Sequence, residues 1–359
     1  MNVLVFNAGS SSLKFGLFQC AGTPRPIVVG AARDIDKRRS RLLAHDDNGS
    51  VIFEDAGAED LEGASRQIIA KLQEGGYPTP DVVGHRIVHG GPEVLDHCLI
   101  DDSVMRKLED ATAFAPLHGR PALSIVKIAQ AAYRVPHVAC LDTVFHRSMP
   151  AMARRSPLPS EFAARGLHRY GFHGLSCESI VRQLGERVPS RLIVAHLGSG
   201  ASVTAIKEGR SVDNSMGLTP TGGVMMATRC GDLDPGLLVY LVRLGYEAQR
   251  LEELLDKESG LAGVSGLAGD LKTLTASNTD NARLAISMFC YSVSKAIAAM
   301  AVALGGLDLL VFAGGIGEHD ERVRSQIVSQ LSWIGRFGQT VLSAQEEVVI
   351  ARHAAYLAR

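Results

Sequence analysis

VLVFNAGSSSLKFGLF, residues Val3 to Phe18, is the stretch from which the fold is read. Val3 to Phe6 is an apolar run too short for a helix, Asn7 to Ser12 interrupt it with small residues, and Leu13, Phe15 and Leu17 alternate with Lys14 and Gly16. The pattern predicts strand, tight turn, strand. A turn rich in backbone N–H groups and hydroxyls, with Lys14 on the outgoing strand, suits phosphate oxygens, although an ordinary hairpin has the same pattern. It is not a Walker loop, because the second glycine of GxxxxGK[ST] is absent and a strand follows instead of a helix.

The same pattern returns at residues 192–206, LIVAHLGSGASVTAI, with its own Gly/Ser turn and alternating second strand. Two such hairpins, each followed by α/β sequence, predict a duplicated domain. A third small-residue stretch follows the apolar strand Leu309 to Phe312. There Gly314, Gly315 and Gly317 are expected to form a loop ahead of a helix rich in early acids, a seat for an anion or nucleotide.

The connecting sequence supplies charged groups. Residues 19–60 suit further antiparallel strands, with 36–41 as a solvated loop, and Leu61 to Glu74 has helical spacing stopped by Gly75 and Gly76. A strand from Val82 to Val88 brings Arg86 and His89 to a Gly90–Gly91 turn, where an arginine fork either clamps a carboxylate or phosphoryl group or joins a surface salt bridge. A helix is expected from Ala122 to Tyr133 with Pro121 at its start, then a strand ending at Asp142 with His146 just beyond. Asp142 either faces a ligand crevice or caps a helix. His173 sits between an aromatic residue and a glycine, where it can serve a phosphoryl group or the structure alone. Residues 215–236 form a long aperiodic stretch containing Arg229, and such loops are more often functional than not. Helical patterns follow at 237–244 and 251–255, and Asp270 and Lys272 come after a small-residue turn.

Composition bounds the rest. A chain of 359 residues, 46% hydrophobic, is long enough for two cores. A net charge of −1 gives no bulk attraction to nucleic acid or anionic membrane, so anion binding must come from local clusters. Six scattered cysteines without CxxC spacing, and no basic signal-peptide start, point to a reducing cytoplasm. The apolar region 284–312 is broken by Lys295, Gly305, Gly306 and Asp308, which predicts a buried helix and a strand, not a membrane span.

The blocks NAGSSSLKF, GHRIVHGG, APLH, LDTVFH, YGFHG, HLGSGASV, SMGLTPTGG, TRCGDLDP, SGLAGVSG, GGIGEH and QEEVVIAR occur in this order along the whole chain. In them the chain resembles the acetate kinase family of the actin, hexokinase and Hsp70 ATPase superfamily. The resemblance implies an α/β fold of two RNase H-like (actin-like ATPase) domains around a central cleft. The first would be 1–142 plus 346–359, with a returning C-terminal helix, and the second, nucleotide-binding domain 143–345. It implies reversible in-line phosphoryl transfer between ATP and acetate, giving ADP and acetyl phosphate. Mg2+ would assist, with Mn2+ as substitute, in a cytoplasmic homodimer without nucleic-acid or membrane partners.

Carried onto this sequence, the resemblance makes Asp142, His173 and Arg229 catalytic and Arg86 the acyl-substrate contact. Lys14 and the run His196, Leu197, Gly198, Ser199 and Gly200 become phosphate contacts. Asp270, Leu271 and Lys272, with Gly315, Ile316, Gly317, Glu318 and His319, become nucleotide contacts. Asn7 and Glu346 become the metal-side pair, with Glu347 as the neighbouring alternative. The chain departs from the family pattern at Ser199 and His319, usually Asn, at Gly119 and Arg120, usually Asn-Pro, and at Leu175 and Cys177, usually Thr and His. It is also short between Gly335 and Glu346. A kinase for propionate, butyrate or another short-chain acid would use the same charged groups, since one methylene is worth only about 1–3 kcal/mol in a pocket. A non-catalytic actin-like switch would need the nucleotide loops alone.

Overall fold

The computed structural model describes residues 1–9, 12–35 and 40–359. Ser10 and Ser11 of the opening turn, and positions 36–39 of the expected loop at 36–41, lie outside the described residues. The chain divides into one unit of residues 1–144 with 345–359 and a second of residues 145–344.

In the first unit β1 (Asn2–Ala8) and β2 (Leu13–Gln19) form the expected hairpin, with Asn7 opposite Lys14. β3 (Arg25–Arg33), β4 (Arg41–Asp46) and β5 (Val51–Ala56) extend it antiparallel. On the other side of β1 lie β6 (Val82–Ile87) and β8 (His137–Leu141), both parallel, with the short β7 (Cys98–Leu99) at the edge. Alternation along β1 feeds both faces of the sheet. Leu4 and Phe6 join Leu13, Phe15, Val28, Leu42, Ile68 and Leu72 in one core, where each fully buried large side chain contributes about 1.5–3 kcal/mol. The helix Leu61–Glu74 supplies Ile68 and Leu72, and its start is fixed by Asp60, whose carboxylate accepts from the Gly63 N–H. A helix at Glu346–Leu357 packs on β1, β2, β6 and β8. Its approach to β6 is close: a Cβ on Gly84 would stand 2.7 Å from Ile350 Cγ2 and 3.1 Å from Ala354 Cβ.

The helix expected at 122–133 begins earlier, spanning Pro116–Ala132. Pro116 takes the first helical position, where its missing N–H costs nothing, so Pro121 lies inside the helix instead of starting it.

The second unit repeats the plan. β9 (Arg191–Leu197), β10 (Ala201–Lys207) and β11 (Arg210–Asn214) run antiparallel in sequence, and β12 (Leu309–Ala313) and β13 (Gly338–Val341) add parallel to β9. Its order, β11-β10-β9-β12-β13, has the same connectivity and strand directions as β3-β2-β1-β6-β8. This is the doubled α/β, RNase H-like plan of the actin-like ATPases. The segment after Gly335 is short, yet it holds the edge strand β13.

Helix Asp280–Leu304 is long and apolar enough, by length and composition, to cross a membrane. Its buried positions include Ala282, Ala285, Phe289, Val293, Ile297, Met300 and Leu304, and it packs on β9 and β10 as a core helix does. Helices Pro235–Arg243 and Ala248–Lys257 follow the long loop, with no buried residue in either.

Candidate active site

In the first unit the adjacent parallel strands β1, β6 and β8 carry polar residues at their C-terminal ends, where α/β sheets place ligands. Asn7 and Arg86 are the penultimate residues of β1 and β6, and Asp142 follows β8, its N–H donating to the Ile87 carbonyl at 3.0 Å. Arg86 is committed within this group. Its Nε and Nη2 donate to Asp142 Oδ2 at 2.9 and 2.5 Å, and its Nη1 to Asn7 Oδ1 at 3.3 Å and the Ala8 carbonyl at 3.2 Å. Of the alternatives left open by the sequence, the surface salt bridge is removed: the Arg86 side chain is 13% exposed and Asp142 1%. Burial pulls the guanidinium pKa down, but Asp142, Glu346 and Glu347 outweigh it and hold it above its ordinary value.

The other side of Asn7 meets the helix at 346–357. Asn7 Nδ2 donates to Glu346 Oε2 at 2.8 Å and to Glu347 Oε1 at 2.7 Å. The structure therefore brings both glutamates to Asn7, with Glu346 buried and Glu347 turned toward Lys14, whose Nζ stands 3.8 Å from its Oε1. The Glu346 and Glu347 carboxylates meet at Asn7 Nδ2, while Asn7 Oδ1 faces Arg86, and paired carboxylate oxygens of this kind suit Mg2+.

In the second unit the β9–β10 turn is tight, with the Gly198 N–H donating to the Gly200 carbonyl at 2.9 Å. His196, next to last in β9, has its Nδ1 2.8 Å from Ser176 Oγ, and its ring stacks on that of His173 at 4.2 Å between centroids. His173 Nδ1 lies 2.9 Å from Ser202 Oγ. A Cβ added at Gly200 would lie 3.3 Å from Arg229 Nη1 and 3.4 Å from His173 Nε2. The turn glycine, the imidazole and the guanidinium thus converge at one point, with positive charge and N–H donors aimed together. Arg229 Nη1 also donates to the Pro220 carbonyl at 3.2 Å.

The long loop is built, not slack. The Gly223 N–H donates to Asp232 Oδ1 at 2.6 Å, and the N–H groups of Leu261 and Ala262 donate to the carbonyls of Met226 and Ala227, both at 2.9 Å. Gly260 has φ +62, and a Cβ there would meet the Met226 carbonyl oxygen at 2.3 Å. Only glycine allows that seat under Arg229.

The glycine-rich stretch differs from its expected form. Residues Gly314–His319 are themselves a short helix that begins directly after β12, and the acid-rich helix starts afterwards at Glu321, capped by Asp320. Gly314, at φ +75, makes the turn from strand to helix without an intervening loop, against the Leu197 carbonyl. Gly315 has open space above it, Ile316 is half-buried, Gly317 packs on β9 and β12, and His319 is exposed. Glu318 accepts from the Gly314 N–H at 3.1 Å. Among Asp270, Leu271 and Lys272, Asp270 caps the helix Leu271–Ala276 through the Thr273 N–H at 2.8 Å, Leu271 is buried, and Lys272 is exposed. Sequence reasoning missed Ser176 and Ser202, which hold the two stacked imidazoles. The signal available was Ser202 on the alternating strand β10, where a polar residue at a core-facing position needs a partner.

Residues 2–355 match the acetokinase family. The chain belongs to the acetokinase family. Among curated acetokinases, the acetate kinase of Methylocella silvestris is 39% identical over an alignment 368 positions long, covering 97% of this chain and 91% of that one. Among solved structures of the family, a propionate kinase from Francisella tularensis superposes with TM-score 0.88 at 31% identity over 99% of both chains. The acetate kinase of Porphyromonas gingivalis superposes with TM-score 0.82 at 32% identity over 100% of both.

Proposed function

We propose that this chain catalyses reversible phosphoryl transfer between ATP and acetate, giving acetyl phosphate and ADP by direct in-line transfer. The observation that carries the reading is the meeting of His173 Nε2 and Arg229 Nη1 over Gly200 in a phosphate-type hairpin. Phosphoryl transfer asks a protein for position and for positive charge on the equatorial oxygens, and needs little covalent chemistry. His173 and Arg229 supply that charge, while the backbone of 196–200 and Lys14 hold phosphate oxygens and the Gly315–His319 and Asp270–Lys272 segments hold the nucleotide.

Acetate is ionised at neutral pH, so the acceptor needs no general base. Asp142 accordingly acts through Arg86, holding its Nε and Nη2 so that the guanidinium faces the acyl substrate in one orientation. Asn7, Glu346 and Glu347 would hold Mg2+, which when bound supplies charge neutralisation on ATP oxygens. A non-catalytic switch has no use for Arg86 or Arg229.

The reading extends to a cytoplasmic homodimer. Six free thiols suit a reducing compartment. Leu237 and Tyr240, one turn apart on helix Pro235–Arg243, are exposed together with Leu244 just after it, an apolar surface suited to a second copy. The deciding experiment is acetate-dependent release of ADP from Mg-ATP by the purified chain, with propionate measured alongside because a solved propionate kinase shares the fold. ADP release that neither acid stimulates would overturn the proposal.

A further inference from the structure

We infer that His146 is a positioning residue for His173, holding, together with Asn214, the peptide plane that sets the backbone of that histidine. The inference rests on the reading of His173 as a group that contacts the transferring phosphoryl.

His173 has φ 59 and ψ 32, in the left-handed region, uncommon for a residue with a Cβ and stable only where its surroundings over-determine it. Both flanking peptide planes are fixed. On the C-terminal side the Cys177 N–H donates to the His173 carbonyl at 3.0 Å, the first bond of helix Gly174–Leu184. On the N-terminal side the Phe172 carbonyl, coplanar with the His173 N–H, accepts from His146 Nε2 at 2.8 Å and from Asn214 Nδ2 at 3.1 Å.

The hold on Phe172 is itself specified. A carbonyl only accepts, so the proton of His146 sits on Nε2, and its Nδ1 accepts from the Ser211 hydroxyl at 2.9 Å. His146 is fully buried, and burial pushes its pKa down to about 4, so it remains a neutral donor near pH 7. Asn214 is fixed in turn by Thr204 Oγ1 at 2.8 Å and by the Met216 N–H at 2.9 Å. Gly171, at φ +74, lets both approach: a Cβ there would lie 2.9 Å from His146 Cγ and 3.0 Å from Asn214 Cβ. With the backbone so held, the His173 ring stacks on His196 and directs Nε2 toward the point over Gly200, where a misplacement of about 1 Å is costly.

The test is a double-mutant cycle on acetate-dependent ADP release, read as kcat and KM. His146→Phe should lower kcat roughly 5- to 30-fold, the worth of one orienting hydrogen bond, with KM for ATP and acetate little changed. His146→Gln, whose amide nitrogen takes the place of Nε2, should restore most of the loss. In a His173→Ala background His146→Phe should cost almost nothing further. An equal loss with and without His173, or no rescue by Gln, would overturn the inference and leave the active-site reading standing. Near-normal turnover in His173→Ala would overturn the site reading and this inference with it. If His146→Phe does not fold, Ser211→Ala, which removes only the group holding Nδ1, should lower kcat a few-fold and lose that effect in the same background; persistence of the effect would again overturn the inference.

Discussion

Replacing Gly84 by alanine places a methyl group where β6 meets the helix at 346–357. That methyl would stand 2.7 Å from Ile350 Cγ2 and 3.1 Å from Ala354 Cβ, whereas carbon atoms rest at about 3.5–4.0 Å. The shortfall is about 1 Å. Ile350 cannot swing clear, because its Cγ2 is attached to a branched, rotationally stiff Cβ, so the helix must move outward. Overpacking of this size costs about 1–3 kcal/mol. For a unit of about 150 residues each kcal/mol lowers Tm by about 2–4 °C, so a fall of about 2–12 °C is expected in its thermal unfolding. The same displacement stretches the bonds from Asn7 to Glu346 and Glu347, now 2.8 and 2.7 Å, to or beyond about 3.6 Å, where a hydrogen bond is lost. The Mg2+ concentration for half-maximal activity should therefore rise several-fold. Ile350→Ala in the same chain opens the space again and should recover both Tm and Mg2+ dependence relative to the sum of the single effects. Calorimetry with a Mg2+ titration of ADP release makes both measurements. An unchanged Tm and metal requirement in Gly84→Ala, or a strictly additive double variant, would refute the argument.

Three further outcomes are expected. Arg229→Ala should reduce turnover by roughly two to four orders of magnitude with a smaller effect on ATP binding, as for a lost electrostatic stabiliser, and steady-state kinetics with a nucleotide titration check this. Arg86→Lys keeps charge but not the double contact to Asp142, so KM for acetate should rise and Tm fall; weakened ATP binding with unchanged acetate KM would move Arg86 to the nucleotide side. Burial lowers the pKa values of His85, His137 and His146, the last to about 4. The folded protein therefore binds fewer protons than the unfolded chain in acid, and His146's share of this stability is fully present above about pH 6.5 and lost as pH falls toward 4. His146 contributes a slope of up to about 1.4 kcal/mol per pH unit in that window, and His146→Gln should flatten the Tm profile there by one proton's worth.

The parts of the fold carried by local pattern were legible in the sequence. The two hairpins follow from a period of two around small-residue turns, and the helix at 61–74 from its spacing and its glycine stop. The start of the helix at Pro116 was not legible, because Pro116 and Pro121 both suit a first turn and only packing chooses between them. The Gly314–His319 helix was hidden by composition, since three glycines read as a loop when no tertiary contact is known. In the site, the contact of Asn7 with both Glu346 and Glu347 joins residues some 340 positions apart and leaves no local signature. The grip of Asp142 on Arg86 was hidden likewise, because sequence shows two strand ends but not that they are neighbours in the sheet.

The helix at 346–357 has a consequence for how the chain is made. It covers β1, β6 and β8 of a unit whose other residues end at Val144, so about 200 residues must be translated between the sheet and its cover. At about 5–20 residues per second that is an interval of about 10–40 s. During it the apolar positions of β1, β6 and β8 that face this helix have no native partner, while residues 145–344, a continuous run, can fold as they emerge. The order of completion is the reverse of the order of synthesis, and the nascent first half carries exposed apolar strand surface until the last residues emerge.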